Sequence, residues 1–266
     1  MGDRVVDCAR LESVCAARHQ GFESPPIRHH VGLAQSVLIG NDRAVRIILA
    51  LVVLAVGQIA FAQKDISSFS NNLGAAKQAY LNGKFDEALA VLNRIGKGAA
   101  TAESLDLEGC ILMEQGKFDD AAKAFDSGHI SDYEAFAPRI HLADVMLRQK
   151  KFADAAKEYE KLLGLTKSPM WPDYLRFGIL MSYLGEKDQA RAQKALAAIL
   201  FPTETPAYYY AQAAWSFDHG NKSDGLKWIR NARKIFDTGK TGWFDRALYQ
   251  FGWLKKKPAP SIDPFS

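Results

Sequence analysis

The sequence predicts an all-α chain, a solenoid of five helix pairs closed by one further helix. Three observations predict it. A six-residue motif recurs as Gly83-Lys-Phe-Asp-Glu-Ala88, Gly116-Lys-Phe-Asp-Asp-Ala121 and Lys150-Lys-Phe-Ala-Asp-Ala155, and its Phe residues, Phe85, Phe118 and Phe152, lie 33 and 34 apart. Fainter copies follow at Gly185-Glu-Lys-Asp-Gln-Ala190 and Gly220-Asn-Lys-Ser-Asp-Gly225, with 35 residues from Lys150 to Gly185 and again to Gly220. Helical patterning flanks each copy, and a fixed period of this length marks stacked helical units that bury their apolar faces on one another.

Each motif has a physical reading. About seven residues before the turn stands Ala76, Gly109, Ala143, Gly178 or Ala213, and five after it Ala88, Ala121, Ala155, Ala190 or Gly225. Two antiparallel helices approach closely only where a side chain is missing. The Phe inside the turn plugs the gap between neighbours in the first three copies. A turn Gly permits a left-handed helix end. Asp or Glu opening the second helix suits the positive end of its dipole. The repeats read as 69–101, 102–135, 136–170, 171–205 and 206–238. Lys187 replaces the aromatic in the fourth, and Lys222 and Gly225 depart in the fifth. Residues 241–254 read as one more helix, with Trp243, Phe244, Ala247, Leu248, Phe251 and Leu254 on one face. A repeat array needs its last open face covered, and this helix is the expected cap. Lys255-Lys-Lys-Pro-Ala-Pro260 breaks the helix and opens a flexible tail, 255–266.

On these residues the chain resembles the tetratricopeptide repeat family over about 69–238. The family's early Trp is replaced by Tyr174 and Tyr209 in the last two repeats, and its closing Pro appears once, as Pro202. The resemblance implies a right-handed superhelix whose first helices line a concave groove for a peptide or a partner helix. Carried over position by position, the groove residues are Tyr80, Glu103, Asp106, Met113, Ile140, Asp144, Arg148, Ile179, Tyr183, Tyr210 and Phe217. Its middle is acidic, through Glu103, Asp106, Glu114 and Asp144, and its C-terminal part is apolar and aromatic, so a partner with basic and apolar residues is complementary. One subclass of the family clamps a C-terminal carboxylate with Lys, Asn and Arg. Here those places carry Leu73 and Lys77, Leu107, and Ala137 and His141, and the pattern fails.

The N-terminal part reads differently. Arg43 and Arg46 precede an apolar run, Ile47 to Val56, and Ala60-Phe-Ala62 follows. A basic start, a short apolar core and a small-residue site make a secretory signal with cleavage expected after Ala62. The run is shorter than the roughly 20 residues of a spanning helix. The alternative is an uncleaved inner-membrane anchor over 47–62. Residues 1–44 show no periodicity, and a start at Val45 makes the signal 45–62, so 1–44 reads as an over-extended or unstructured N-terminus. The expected mature product is 63–266, with the solenoid over 63–254, in a periplasm or secreted.

Composition narrows the function. The chain has 266 residues, 48% hydrophobic and 24% charged, the balance of a folded protein. A net charge of +4 gives no whole-chain nucleic-acid signal. Cys8, Cys15 and Cys110 are too few for a disulfide scaffold, and only Cys110 survives cleavage. His129, Asp132 and Glu134 match no zinc spacing, and no phosphate loop, G-x-S-x-G or H-E-x-x-H is present. Cys110 has no histidine nearby in sequence, and its charged neighbours Glu108 and Glu114 do not make the electropositive setting of a reactive thiol. No catalytic residue, metal site or cofactor is expected. The expected function is a non-catalytic scaffold or adaptor that binds a polypeptide outside the cytoplasm. The alternative is a membrane-anchored assembly factor of a cell-envelope complex.

Overall fold

In the computed structural model the described residues are 42–96, 99–132, 136–169 and 171–261, and among them every regular element is a helix. The expected over-extension, apart from 42–44, and the last five residues of the tail lie outside the described residues, as does Glu134. The chain divides into two compact units, 1–58 and 59–266.

Helix α1 (Asp42–Leu81) is 40 residues long and runs through the expected cleavage point. In its N-terminal part Ile47, Ile48 and Leu51 to Leu54 are exposed. Among the described residues no helix is long and apolar enough to cross a membrane. In the second unit the C-terminal end of α1 pairs with α2 (Phe85–Leu92). Four more pairs follow: α3 (Ala102–Glu114) with α4 (Phe118–Ser131), α5 (Ala137–Arg148) with α6 (Phe152–Leu165), α7 (Trp171–Glu186) with α8 (Gln189–Ala197), and α9 (Ala207–Asp218) with α10 (Lys222–Ile235). Helix α11 (Thr238–Gln250) ends the array.

The five turns share one hydrogen-bond pattern. In the first, Lys84 N–H donates to the Ala79 carbonyl (2.9 Å) and Gly83 N–H to that of Tyr80 (2.8 Å), and the same pair of bonds recurs at Gly116/Lys117, Lys150/Lys151, Lys187/Asp188 and Gly220/Asn221. These are Schellman closures with one residue in the left-handed region. Gly83, Gly116 and Gly220 hold that conformation without a Cβ penalty, whereas Lys150 (φ 59°) and Lys187 (φ 62°) are strained there.

This corrects the register of the fourth repeat. The left-handed residue is Lys187, not Gly185, so the second helix starts at Gln189 and the small residue five positions on is Ala192, which is buried, while Ala190 is exposed. Gly185 lies inside α7 for another reason. A Cβ there meets the Phe152 ring at 2.5 Å, so glycine admits the aromatic plug of the third repeat. Gly109 and Gly178 act alike toward the rings of Phe125 and Tyr159.

The expected bounds of the last helix also shift. Asp237 Oδ1 accepts from Lys240 N–H at 3.0 Å and caps α11 three residues early. Gly252, at φ 75°, stops it before Trp253 and Leu254 with the same closure that ends the first helix of each pair.

The register is testable. Gly185→Ala is expected to cost about 1–3 kcal/mol by overpacking Phe152, and Lys187→Gly to stabilise by about 0.5–1 kcal/mol by relieving the left-handed strain. Urea denaturation checks both; the opposite signs restore Gly185 to the turn.

Candidate functional site: a groove filled by its own C-terminal helix

Eight consecutive residues of α11, Thr241 to Leu248, are buried. A helix buried on all sides is ordinarily apolar on all sides. This one carries Asp245 and Arg246 in its centre, and each is met by a partner from the first helices of the repeats. The helix therefore does more than cover the last pair. It lies in the groove that those helices form.

Its contacts are spaced as in helix-in-groove recognition. Trp243, Arg246, Ala247 and Gln250 face Asp144, Leu147 and Arg148 of α5. The Trp243 indole stacks on Tyr174 with ring centres 3.5 Å apart, and its Nε1 donates to Asp144 Oδ2 at 3.0 Å. The Phe244 ring meets Phe177 at 5.0 Å and Tyr210 at 5.2 Å. Phe244 and Leu248 are fully buried, which contributes about 2–3 kcal/mol each. Beyond the helix, Phe251 packs on Phe152 and Trp253 on Phe217, both at 5.8 Å.

Three acidic groups anchor this packing. Asp144 is buried and accepts from Trp243, from the Tyr174 hydroxyl at 3.0 Å and from the Tyr159 hydroxyl. Asp245 accepts from the Tyr210 hydroxyl at 2.6 Å and from Arg233 at 2.8 Å. Glu114 receives three cations: Arg246 at 3.0 Å, Arg148 at 3.2 Å and Lys257 at 3.1 Å. Arg246 also donates to the Tyr80 hydroxyl (3.3 Å), the Ala259 carbonyl (3.3 Å) and Ser261 Oγ (3.1 Å), which draws the tail onto the groove. Burial alone raises the Glu114 carboxyl, but the cations, Arg246 foremost, outweigh it and hold the group below the ordinary value of 4.5. Burial pushes the Tyr80 phenol up to about 12, so it stays a neutral hydroxyl beside the guanidinium.

The expected groove residues thus divide. Tyr80, Asp144, Arg148 and Tyr210 meet α11 or the carboxylate that α11 engages, and Phe217 meets Trp253 just beyond it. Met113, Ile140 and Ile179 are buried core. Tyr183 turns to the outer layer, where its hydroxyl donates to Glu160 of α6 and Arg191 of α8 lies 4.5 Å over its ring. Glu103 is exposed and pairs with Lys77. Asp106 is half-buried and engages the next repeat: His141 Nδ1 stands 2.8 Å from its Oδ1. The same nitrogen lies 3.8 Å from Cys110 Sγ, which corrects the expectation that Cys110 stands apart from histidine. Burial opposes charge on His141, yet Asp106 lifts it well above the usual imidazole value. Burial, in contrast, raises the Cys110 thiol. Of the three consecutive tyrosines that open α9, Tyr210 is buried, while Tyr208 and Tyr209 are half-buried around Trp228.

Sequence reasoning missed the occupant. The apolar face of α11 was legible, but nothing in the sequence marks Asp245 and Arg246 as buried. The one available signal was the surplus of acid on the first helices, which has no local partner in sequence.

Comparison with known proteins bears on the fold. No protein-family model and none of the curated proteins matches the chain. A solved tetratricopeptide repeat protein from Parabacteroides merdae aligns with a TM-score of 0.52 at 14% identity, over 70% of this chain and 74% of that one. Two MamA structures, from MSR-1 and RS-1, align at 14% and 15% identity with TM-scores of 0.44 and 0.46, over 65% and 63% of this chain and 96% and 94% of theirs. The first likeness and the five repeated closures together define an all-α solenoid of helix pairs. The fold is of the tetratricopeptide repeat type.

Two outcomes follow from the groove. Trp243→Phe removes one donor and keeps a ring, at an expected cost of about 1–2 kcal/mol, whereas Asp144→Ala orphans two hydroxyls and an indole and costs about 3 kcal/mol or more. Chemical denaturation orders the pair; equal costs mean that Asp144 does not gather these donors. A depressed carboxyl adds stability that is complete above its unfolded value and is lost as pH falls through the folded one. Glu114 therefore contributes in full above about 4.5, and its share disappears on acidification below that. Glu114→Gln is expected to flatten this part of an acid titration followed by tryptophan fluorescence; an unchanged profile removes Glu114 from the account.

Proposed function

We propose that the chain is a non-catalytic scaffold that acts outside the cytoplasm and takes up a polypeptide segment on its concave face. One observation carries this reading: the groove already holds a helix, and that helix presents aromatic and basic groups, Trp243, Phe244 and Arg246, to an aromatic and acidic lining. The lining thereby defines the partner's chemistry as a helical segment with aromatic residues and an arginine. Because α11 is tethered, its effective concentration is on the order of millimolar. A partner therefore exchanges with α11 and does not enter an open cleft. Tetratricopeptide-type solenoids are general platforms for protein binding.

The exported location rests on the basic, apolar and small-residue succession from Arg43 to Ala62, and on the exposure of Ile47, Ile48 and Leu51 to Leu54 along α1. An unpartnered apolar helix surface of this kind suits a segment read by a secretion machinery or held by a lipid phase. If it stays uncleaved, the scaffold is tethered at an envelope membrane.

Affinity capture from envelope and secreted fractions tests the reading, with residues 63–266 as bait. Arg246→Ala loosens α11 without altering the lining, and capture of a groove partner is expected to rise about tenfold, since about 1.4 kcal/mol of competition is removed. Unchanged capture assigns the partner to another face. N-terminal sequencing of the natural product is expected to read from Gln63; a product that retains 47–62 favours the anchored form.

A further inference from the structure

We propose that Asp106, Cys110 and His141 form a metal site that takes zinc or a similarly soft divalent ion between the second and third repeats. The topology builds it simply. Asp106 and Cys110 are four residues apart on α3, which sets both on one helix face, and His141 reaches them from α5, the first helix of the next pair. One donor atom from each lies within 4.8 Å of the other two. The individual separations are 2.8 Å from Asp106 Oδ1 to His141 Nδ1 and 3.8 Å from Cys110 Sγ to the same nitrogen.

A tetrahedral ion with zinc–sulfur, zinc–nitrogen and zinc–oxygen bonds of about 2.0–2.3 Å sets its donors about 3.3–3.6 Å apart. The carboxyl oxygen and the imidazole nitrogen then separate by about half an ångström, and the sulfur closes on that nitrogen by less. One thiolate, one imidazole and one carboxylate are a donor set that zinc accepts and that calcium and magnesium do not favour. Three protein donors leave a fourth position for water, and the Asp106 side chain, 18% exposed, gives the ion a way in from solvent. The His141 ring is fixed by Phe125 at 5.1 Å, so its nitrogen is held toward α3 before any ion arrives.

The same three residue types also make up a nucleophilic triad, but the geometry here is different. A triad imidazole meets the nucleophile through one nitrogen and the acid through the other. In this site thiol and carboxyl converge on a single atom, Nδ1, which is how donors gather round an ion. Bound there, the ion clips α3 to α5 and adds to the Glu114–Arg148 ion pair that already joins the two repeats.

Cobalt as its chloride provides the direct probe, because a thiolate–cobalt bond gives a near-ultraviolet charge-transfer band that nitrogen and oxygen ligands do not. The full chain is used with Cys8→Ser and Cys15→Ser, so that Cys110 is the one thiol. The expected result is a band that saturates at one equivalent of cobalt, is displaced by zinc, and is lost in Cys110→Ser, a change of one atom. His141→Ala and Asp106→Asn are expected to weaken binding at least tenfold, and zinc to raise the melting temperature of the parent but not of Cys110→Ser. No band with folded protein, or a band of unchanged affinity after His141→Ala, overturns the site and leaves Asp106 and His141 as a buried ion pair only.

Discussion

The structure depends on the reception of Arg246 by Glu114. A guanidinium in the middle of a buried helix is tolerable only if its charge is met, since an ion without a partner costs several kcal/mol in such a setting. Glu114 meets it at the end of α3 and gathers Arg148 from α5 and Lys257 from the tail at the same point. One carboxylate thereby ties two first helices, the groove helix and the C-terminal segment. Asp144 has the parallel role for neutral donors, joining α5, α6, α7 and α11 through two tyrosines and Trp243. Remove α11, and both acids face a groove lined with tyrosine.

This arrangement changes what the concave surface means. Acidic and aromatic side chains along a solenoid groove look like a vacant binding surface, and here they are largely satisfied within the chain. Their pairing is nonetheless informative about recognition. A groove that accepts its own helix through one arginine, one stacked indole and a short aromatic row states which features another segment must carry. The tether sets the threshold that such a segment must exceed.

Much of the fold was legible in the sequence because it is local and repeated. A left-handed residue, an aromatic two positions on and a small residue five positions on recur at Gly83, Gly116 and Lys150, and the spacing of the three is visible within one helix pair. The fourth repeat was misread by two residues because Gly185 resembles a turn glycine, whereas its purpose is to admit Phe152 from the preceding repeat. That purpose is a tertiary fact. The site was less legible for the same reason. Tyr80, Asp144, Arg148 and Tyr210 could be assigned to the groove from repeat position alone, but Tyr183 was not separable from them, because its partner Glu160 lies in another repeat. Nothing near Arg246 in sequence indicates that Glu114, 132 residues away, receives it. The same holds for His141, which reaches Asp106 and Cys110 only after two helix pairs have stacked.

The central claim is that α11 is an integral occupant of the groove, held as firmly as the repeats that surround it. Hydrogen–deuterium exchange of the full chain tests this most directly, with the amides of 241–250 compared with those of α7. The account predicts that the two segments exchange at similar slow rates in neutral buffer, and that Glu114→Gln accelerates α11 selectively while α7 stays protected. Exchange of 241–250 at the rate of an unstructured peptide, with α7 protected, contradicts it and returns the groove to an open surface.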